Sequence, residues 1–129
     1  MADQHESIRT PLAKARNHGS AKSGTDHWIK QRITAISNIF LVLWVIYALM
    51  SLPLAQYDTV TQWLAQPWNA ILMILAVISV FKHAVLGSEV IIEDYVHNKP
   101  FKIIKLLSVK FLYFALAVAC IFSVLKIAL

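Results

Sequence analysis

Residues 68–92 read WNAILMILAVISVFKHAVLGSEVII, a stretch whose only ionisable side chains are Lys82, His83 and Glu89. A helix rises about 1.5 Å per residue, and about 20 apolar residues cross a hydrocarbon core of about 30 Å. The stretch is therefore long enough to span a bilayer. Residues 33–54 form a second such block, with no charge from Ile33 to Tyr57 and Pro53 near its end. Residues 103–129 form a third, with Lys105 and Lys110 in its first turns and Lys126 near its end, where long stems snorkel to the interface. Hydrophobic residues make up 58% of the 129 and charged residues 15%. Soluble domains run nearer 45–50% and about 25%, and here the excess is confined to the three blocks. Only helices and closed barrels satisfy their backbone hydrogen bonds in lipid, and three segments cannot close a barrel. The sequence predicts an all-α integral membrane fold of three transmembrane helices, over residues 33–54, 68–92 and 103–129, forming one anchor domain over 33–129.

The flanks set the orientation. Residues 1–32 are a polar, basic segment without the apolar core of a signal peptide. Their SAKSGTDH stretch, residues 20–27, reads as loop, and HWIKQR reads as an interfacial approach with Trp28 at headgroup depth. Residues 55–67 make a short connection containing Asp58 but no Lys or Arg, between interfacial anchors Trp63 and Trp68. The segment EDYVHNKP leaves the membrane and Pro100 closes it. Arg9, Lys14, Arg16, Lys22, Lys30 and Arg32 precede the first span, and Lys99, Lys102, Lys105 and Lys110 follow the second. The positive-inside rule then places the N-terminus and second connection in the cytoplasm, or in a mitochondrial matrix, and the C-terminus across the inner membrane. The net charge of +5 is explained by these flanks and does not indicate a nucleic-acid binder. Cys120 is the single cysteine, which excludes an intrachain disulfide or cysteine metal cluster.

His83 carries the sharpest chemical signal. An ionisable group within a span is costly, about 2.5–3.5 kcal/mol for Lys, Arg or Asp at the centre. Even a neutral imidazole needs partners for its ring nitrogens. A haem iron is one such partner; a hydrogen bond to a neighbouring helix, or a proton relay, is another. Gly87 and Ala84 leave room beside it for a flat macrocycle or a close helix. His5, His18, His27 and His97 all lie outside the expected spans. One copy therefore cannot give two histidines to a haem at membrane depth, and a bis-His haem needs a ligand from another chain. Asp94 lies eleven residues after His83, close to three helical turns, so the two share a face. Tyr95 follows, where its phenol either donates to a quinone carbonyl or belongs to the aromatic belt. Arg32, at the mouth of the first span, suits a propionate, a lipid phosphate or simple anchoring. Lys82, Glu89 and Glu93 share a helix face, as a charge ladder or a contact with a partner.

The order SAKSGTDHWIKQRITAI, then a three-span body, then FKHAVLGSEVIIEDYVHNKP resembles the succinate dehydrogenase hydrophobic membrane anchor subunits of alphaproteobacterial and mitochondrial type. The likeness runs from about Arg9 onwards and rests on the QR-x-TA lead-in and the H-x3-G-x6-DY pattern. It implies an anchor that does no succinate chemistry itself. The anchor pairs with a three-span cytochrome b large subunit and tethers the flavoprotein and iron–sulfur subunits of respiratory complex II, in the tricarboxylic acid cycle. It further implies that His83 is one axial ligand of a shared haem b, that Tyr95 bonds ubiquinone beside Asp94, and that Arg32 lies near the haem propionates. Lys82 and Glu89 are more charged than the pattern leads one to expect. Two rival readings come from other classes: a small oligomeric transporter using Lys82, His83 and Glu89 as a relay, and a haem-free scaffold.

Overall fold

A computed structural model describes residues 22–129. Arg9, Lys14 and Arg16, with most of the basic N-terminal segment, lie outside the described residues. Four helices follow in order: α1 (Lys22–Ser51), α2 (Tyr57–Ala65), α3 (Pro67–Tyr95) and α4 (Lys99–Ala128). Three of them, α1, α3 and α4, are long and apolar enough to cross a membrane. Each contains nearly all of one expected span, so the all-α, three-span reading holds.

The ends are set by local chemistry. Leu52 still donates to the Ala48 carbonyl at 3.0 Å, but it precedes Pro53, and a residue before proline is pushed out of the helical region. The same rule separates α2 from α3. Gln66 is extended (φ −67°, ψ 123°) and serves both as the end of α2 and as the N-cap of α3, whose first residue is Pro67. Asn98 caps α4 by accepting from the Phe101 N–H at 3.3 Å. Lys102 then reaches back to donate to the Glu93 carbonyl at 2.8 Å, placing a cation on the electronegative end of α3.

Two expectations need correction. The SAKSGTDH stretch is not loop throughout, because α1 is helical from Lys22. Its polar first turns are held by an Asp26–Lys30 ion pair one turn apart and by a tertiary contact of His27. The 55–67 connection, expected only to be short, contains a helix: nine of its residues form α2. Leu64 of α2 is buried with Ala70 and Val124, against Trp63, Met73 and Ile74, and Trp63 stacks on Trp44 of α1 at 5.6 Å.

Helix α3 packs against both α1 and α4, whose backbones do not approach each other closely among the described residues. The three long helices thus form a layer with α3 in the middle. Such a layer has little interior. Among the described residues no large side chain is fully buried, and Phe40, Tyr47, Phe111 and Phe114 are each at least 70% exposed. Apolar surface on that scale is stable facing lipid or another apolar chain, not water.

Candidate functional site

The seam between α1 and α3 is polar. His27 Nε2 lies 3.3 Å from Glu89 Oε2, Thr34 Oγ1 lies 3.0 Å from His83 Nδ1, and Ser79 Oγ donates to Asn38 Oδ1 at 2.7 Å. As the α1 number rises from 27 to 34 to 38, its α3 partner falls from 89 to 83 to 79. That is the register of two antiparallel helices, and each step of about one or two turns brings the next pair face to face. In hydrocarbon each such bond contributes on average about 0.6 kcal/mol.

His83 sits on the middle rung. Its Nδ1 is engaged by Thr34, a buried residue, and Nε2 has no partner among the described residues. The ring borders an open groove of about 410 Å³ whose other walls are Ala35, Asn38, Ile39, Val42 and Leu43 of α1. At Gly87, one turn further along α3, an added Cβ would meet nothing within 4 Å. A ring nitrogen without a partner, an apolar groove and an open glycine suit a flat iron-bearing macrocycle held through an imidazole. The described residues contain no cluster of three or more His, Cys, Asp or Glu side chains able to hold a metal ion.

The other sequence candidates are more scattered. Arg32, two residues before Thr34, is exposed and stacks its guanidinium over the Trp28 ring at 5.3 Å. Asp94 and Tyr95 close α3; Tyr95 is 78% exposed, and neither makes a side-chain bond within the described residues. Twelve residues separate Tyr95 from His83, about 18 Å along the helix. The two cannot act on the same small group, but both are open on α3 to whatever covers the layer.

Glu89 does not pair with Lys82 along α3. It joins His27 of α1 and Lys110 of α4, the latter at 2.7 Å. Lys110, expected to snorkel to the interface, instead spends its charge on this carboxylate. Lys82 has no side-chain partner among the described residues and lines a separate groove between α3 and α4, about 600 Å³, with Phe81, Val85, Phe111 and Phe114. The two grooves share no residue, because Lys82 and His83 are successive and diverge by about 100° around the helix. Sequence reasoning gave no site role to Asn38 or His27 and met Thr34 only as part of the QR-x-TA lead-in. A threonine in an apolar run signals nothing until the register of the facing helix is known.

Comparison with known proteins bears on the whole chain. The family model described as succinate dehydrogenase/fumarate reductase transmembrane subunit matches residues 6–125. A succinate dehydrogenase hydrophobic membrane anchor subunit of Rickettsia bellii is 37% identical over 117 residues, covering 91% of this chain and 94% of the relative. The protein of the same name from Rickettsia conorii is 36% identical over 90 residues, 69% and 71% of the two chains. That from Coxiella burnetii is 33% identical over 88 residues, 65% and 73% of the two. No solved structure matches.

Proposed function

The chain belongs to the transmembrane-subunit family of succinate dehydrogenase and fumarate reductase, and from that membership we propose that it anchors a succinate:ubiquinone oxidoreductase in the membrane, holds one side of a haem b through His83 and helps form the ubiquinone site through Tyr95 and Asp94. It is a multi-pass membrane protein and a non-catalytic subunit. The partners are a cytochrome b large subunit, which supplies the second axial ligand, and the iron–sulfur and flavoprotein subunits that oxidise succinate.

The observation that carries the haem assignment is the partnerless Nε2 of His83 beside an open groove. Haem b, when bound, accepts and returns one electron. This chain's part is to hold an imidazole at fixed height, to keep water from it with Ile39, Val42 and Leu43, and to offer Arg32 to the propionates as a cation. Tyr95 offers a phenol O–H to a quinone carbonyl, and Asp94 beside it orients that donor. Residues 1–32 face the cytoplasm or matrix and residues 33–129 form the anchor domain. That orientation is supported by Lys30, Arg32, Lys99 and Lys102 crowding one end of the helical layer.

The test is a pair of variants in the assembled complex, each assayed for haem absorbance and succinate-driven quinone reduction. His83→Ala abolishes the low-spin haem spectrum. Tyr95→Phe keeps the spectrum and lowers quinone reduction, because the acceptor it served is left unpaired. An unchanged spectrum in the first, or an unchanged rate in the second, sinks the respective assignment. Mild-detergent purification recovers the three partner subunits. A reporter near Gln56 lies across the membrane from one near Asn98.

A further inference from the structure

We infer that Thr34 is a positioning residue for His83: its hydroxyl accepts a hydrogen bond from Nδ1–H, fixes the imidazole tautomer and turns a bare Nε2 lone pair into the α1–α3 groove. The inference rests on the reading of His83 as an axial ligand and goes one step behind it, to what makes His83 competent.

The direction of the bond follows from three contacts around one oxygen. Thr34 Oγ1 lies 3.0 Å from the Lys30 carbonyl, 3.0 Å from the Gln31 carbonyl and 3.0 Å from His83 Nδ1. A hydroxyl has one proton, and carbonyl oxygens can only accept. If that proton pointed at Nδ1, two carbonyl lone pairs would face the hydroxyl's own lone pairs at close range with nothing between them. Directed back at the carbonyls, as threonine does within helices, the proton satisfies that side and leaves a lone pair facing the ring. Nδ1 must then carry the hydrogen. In a neutral imidazole the other nitrogen is consequently unprotonated. That nitrogen, Nε2, has no partner among the described residues, and its ring lines the groove.

Two consequences follow for a metal-bound ring. The ring plane is held by a bond to a helix backbone through one short, stiff side chain, since threonine is restricted at χ1. The accepting oxygen also draws on the Nδ1 proton, which raises the ligand's basicity and favours the ferric over the ferrous state. Thr34 is itself buried, so water does not replace the hydroxyl when it is removed.

The experiment uses the purified holo-complex and reads the haem, not turnover. Thr34→Val keeps the shape and deletes the acceptor. It is expected to shift the haem midpoint potential positive by about tenfold in the ferric-to-ferrous equilibrium, about 59 mV for one electron, with a changed low-spin electron paramagnetic resonance signal. Thr34→Ser restores both. Thr34→Cys, whose sulfur is a weak acceptor, falls between, and it carries the test if the valine variant does not assemble. A wild-type potential and signal in the valine or, failing assembly, the cysteine variant overturns the proposal. So does a serine variant no better than valine, which would assign Thr34 to packing. His83→Ala separates the two levels: if it leaves the spectrum intact the axial reading itself fails, whereas a lost spectrum there with an indifferent Thr34 refutes only the positioning role.

Discussion

Helix α3 has two seams of opposite character. Toward α1 it presents His83, Ser79 and Glu89, each matched by a polar side chain at the complementary height. Toward α4 it presents Phe81 against Tyr113 at 6.1 Å, with a longer Ser88–Tyr113 contact of 3.3 Å and an ionic link between Glu89 and Lys110. Lipid removes the hydrophobic driving force between helices, so association depends on packing and interhelical hydrogen bonds. The α1 seam uses direction: each bond is made at one register only. The α4 seam uses area, and rings tolerate small slides. The difference teaches where precision is needed. The seam with fixed register holds the imidazole, and the tolerant seam holds up the layer.

Glu89 is the exception that joins both seams, and its loss is the largest effect we expect. Glu89→Leu leaves Lys110 and His27 without their carboxylate and destabilises the complex by about 1.5–3 kcal/mol, read as a lower unfolding temperature of the detergent-solubilised complex. An unshifted temperature would mean that neither seam depends on it. Gly87→Leu comes next. The chain itself has nothing within 4 Å of a Cβ there, so the helices form, but what covers the α3 face is overpacked by about 1–3 kcal/mol, roughly five- to 150-fold in association with the large subunit. Normal co-purification with full haem content would show that this face is open in the assembly too.

Smaller changes sharpen the contrast. Ser79→Ala removes the donor to Asn38 and should cost about 0.6 kcal/mol, with a slight loss of haem from the neighbouring rung. Tyr113→Phe removes only the long contact to Ser88 on the tolerant seam. It should change stability by less than about 0.5 kcal/mol and leave the haem spectrum untouched. A spectrum more sensitive to Tyr113 than to Ser79 would reverse the assignment of the two seams.

The three spans were legible because bilayer thickness imposes a length, and no soluble helix requires 22 residues without a charge. His83 was legible because an ionisable group at that depth demands a reason. The start of α1 was not: Ser23, Gly24 and Thr25 have weak helix propensity, and the turns that follow are held by the Asp26–Lys30 pair and by Glu89, sixty-two residues away from His27. Helix α2 was hidden for a related reason, since nine residues with one expected anchor, Trp63, read only as a short connection. Thr34 and Asn38 were hidden because a polar zipper exists only in the register of two helices, and neither sequence alone states it. Glu89 read, with Lys82 and Glu93, as a ladder or a contact with a partner, whereas its carboxylate reaches His27 and Lys110 on the two neighbouring helices.

The central place of α3 has a consequence for how the chain is assembled. The hydrogen bonds that tie α1 to the rest, His27–Glu89, Thr34–His83 and Asn38–Ser79, all end on α3, so an α1–α3 hairpin can close its rungs before α4 packs. Such a hairpin already holds the His83 imidazole in place, while Glu89 still lacks Lys110, which arrives with α4. Assembly in that order runs from the half that bears the imidazole to the half that supports it.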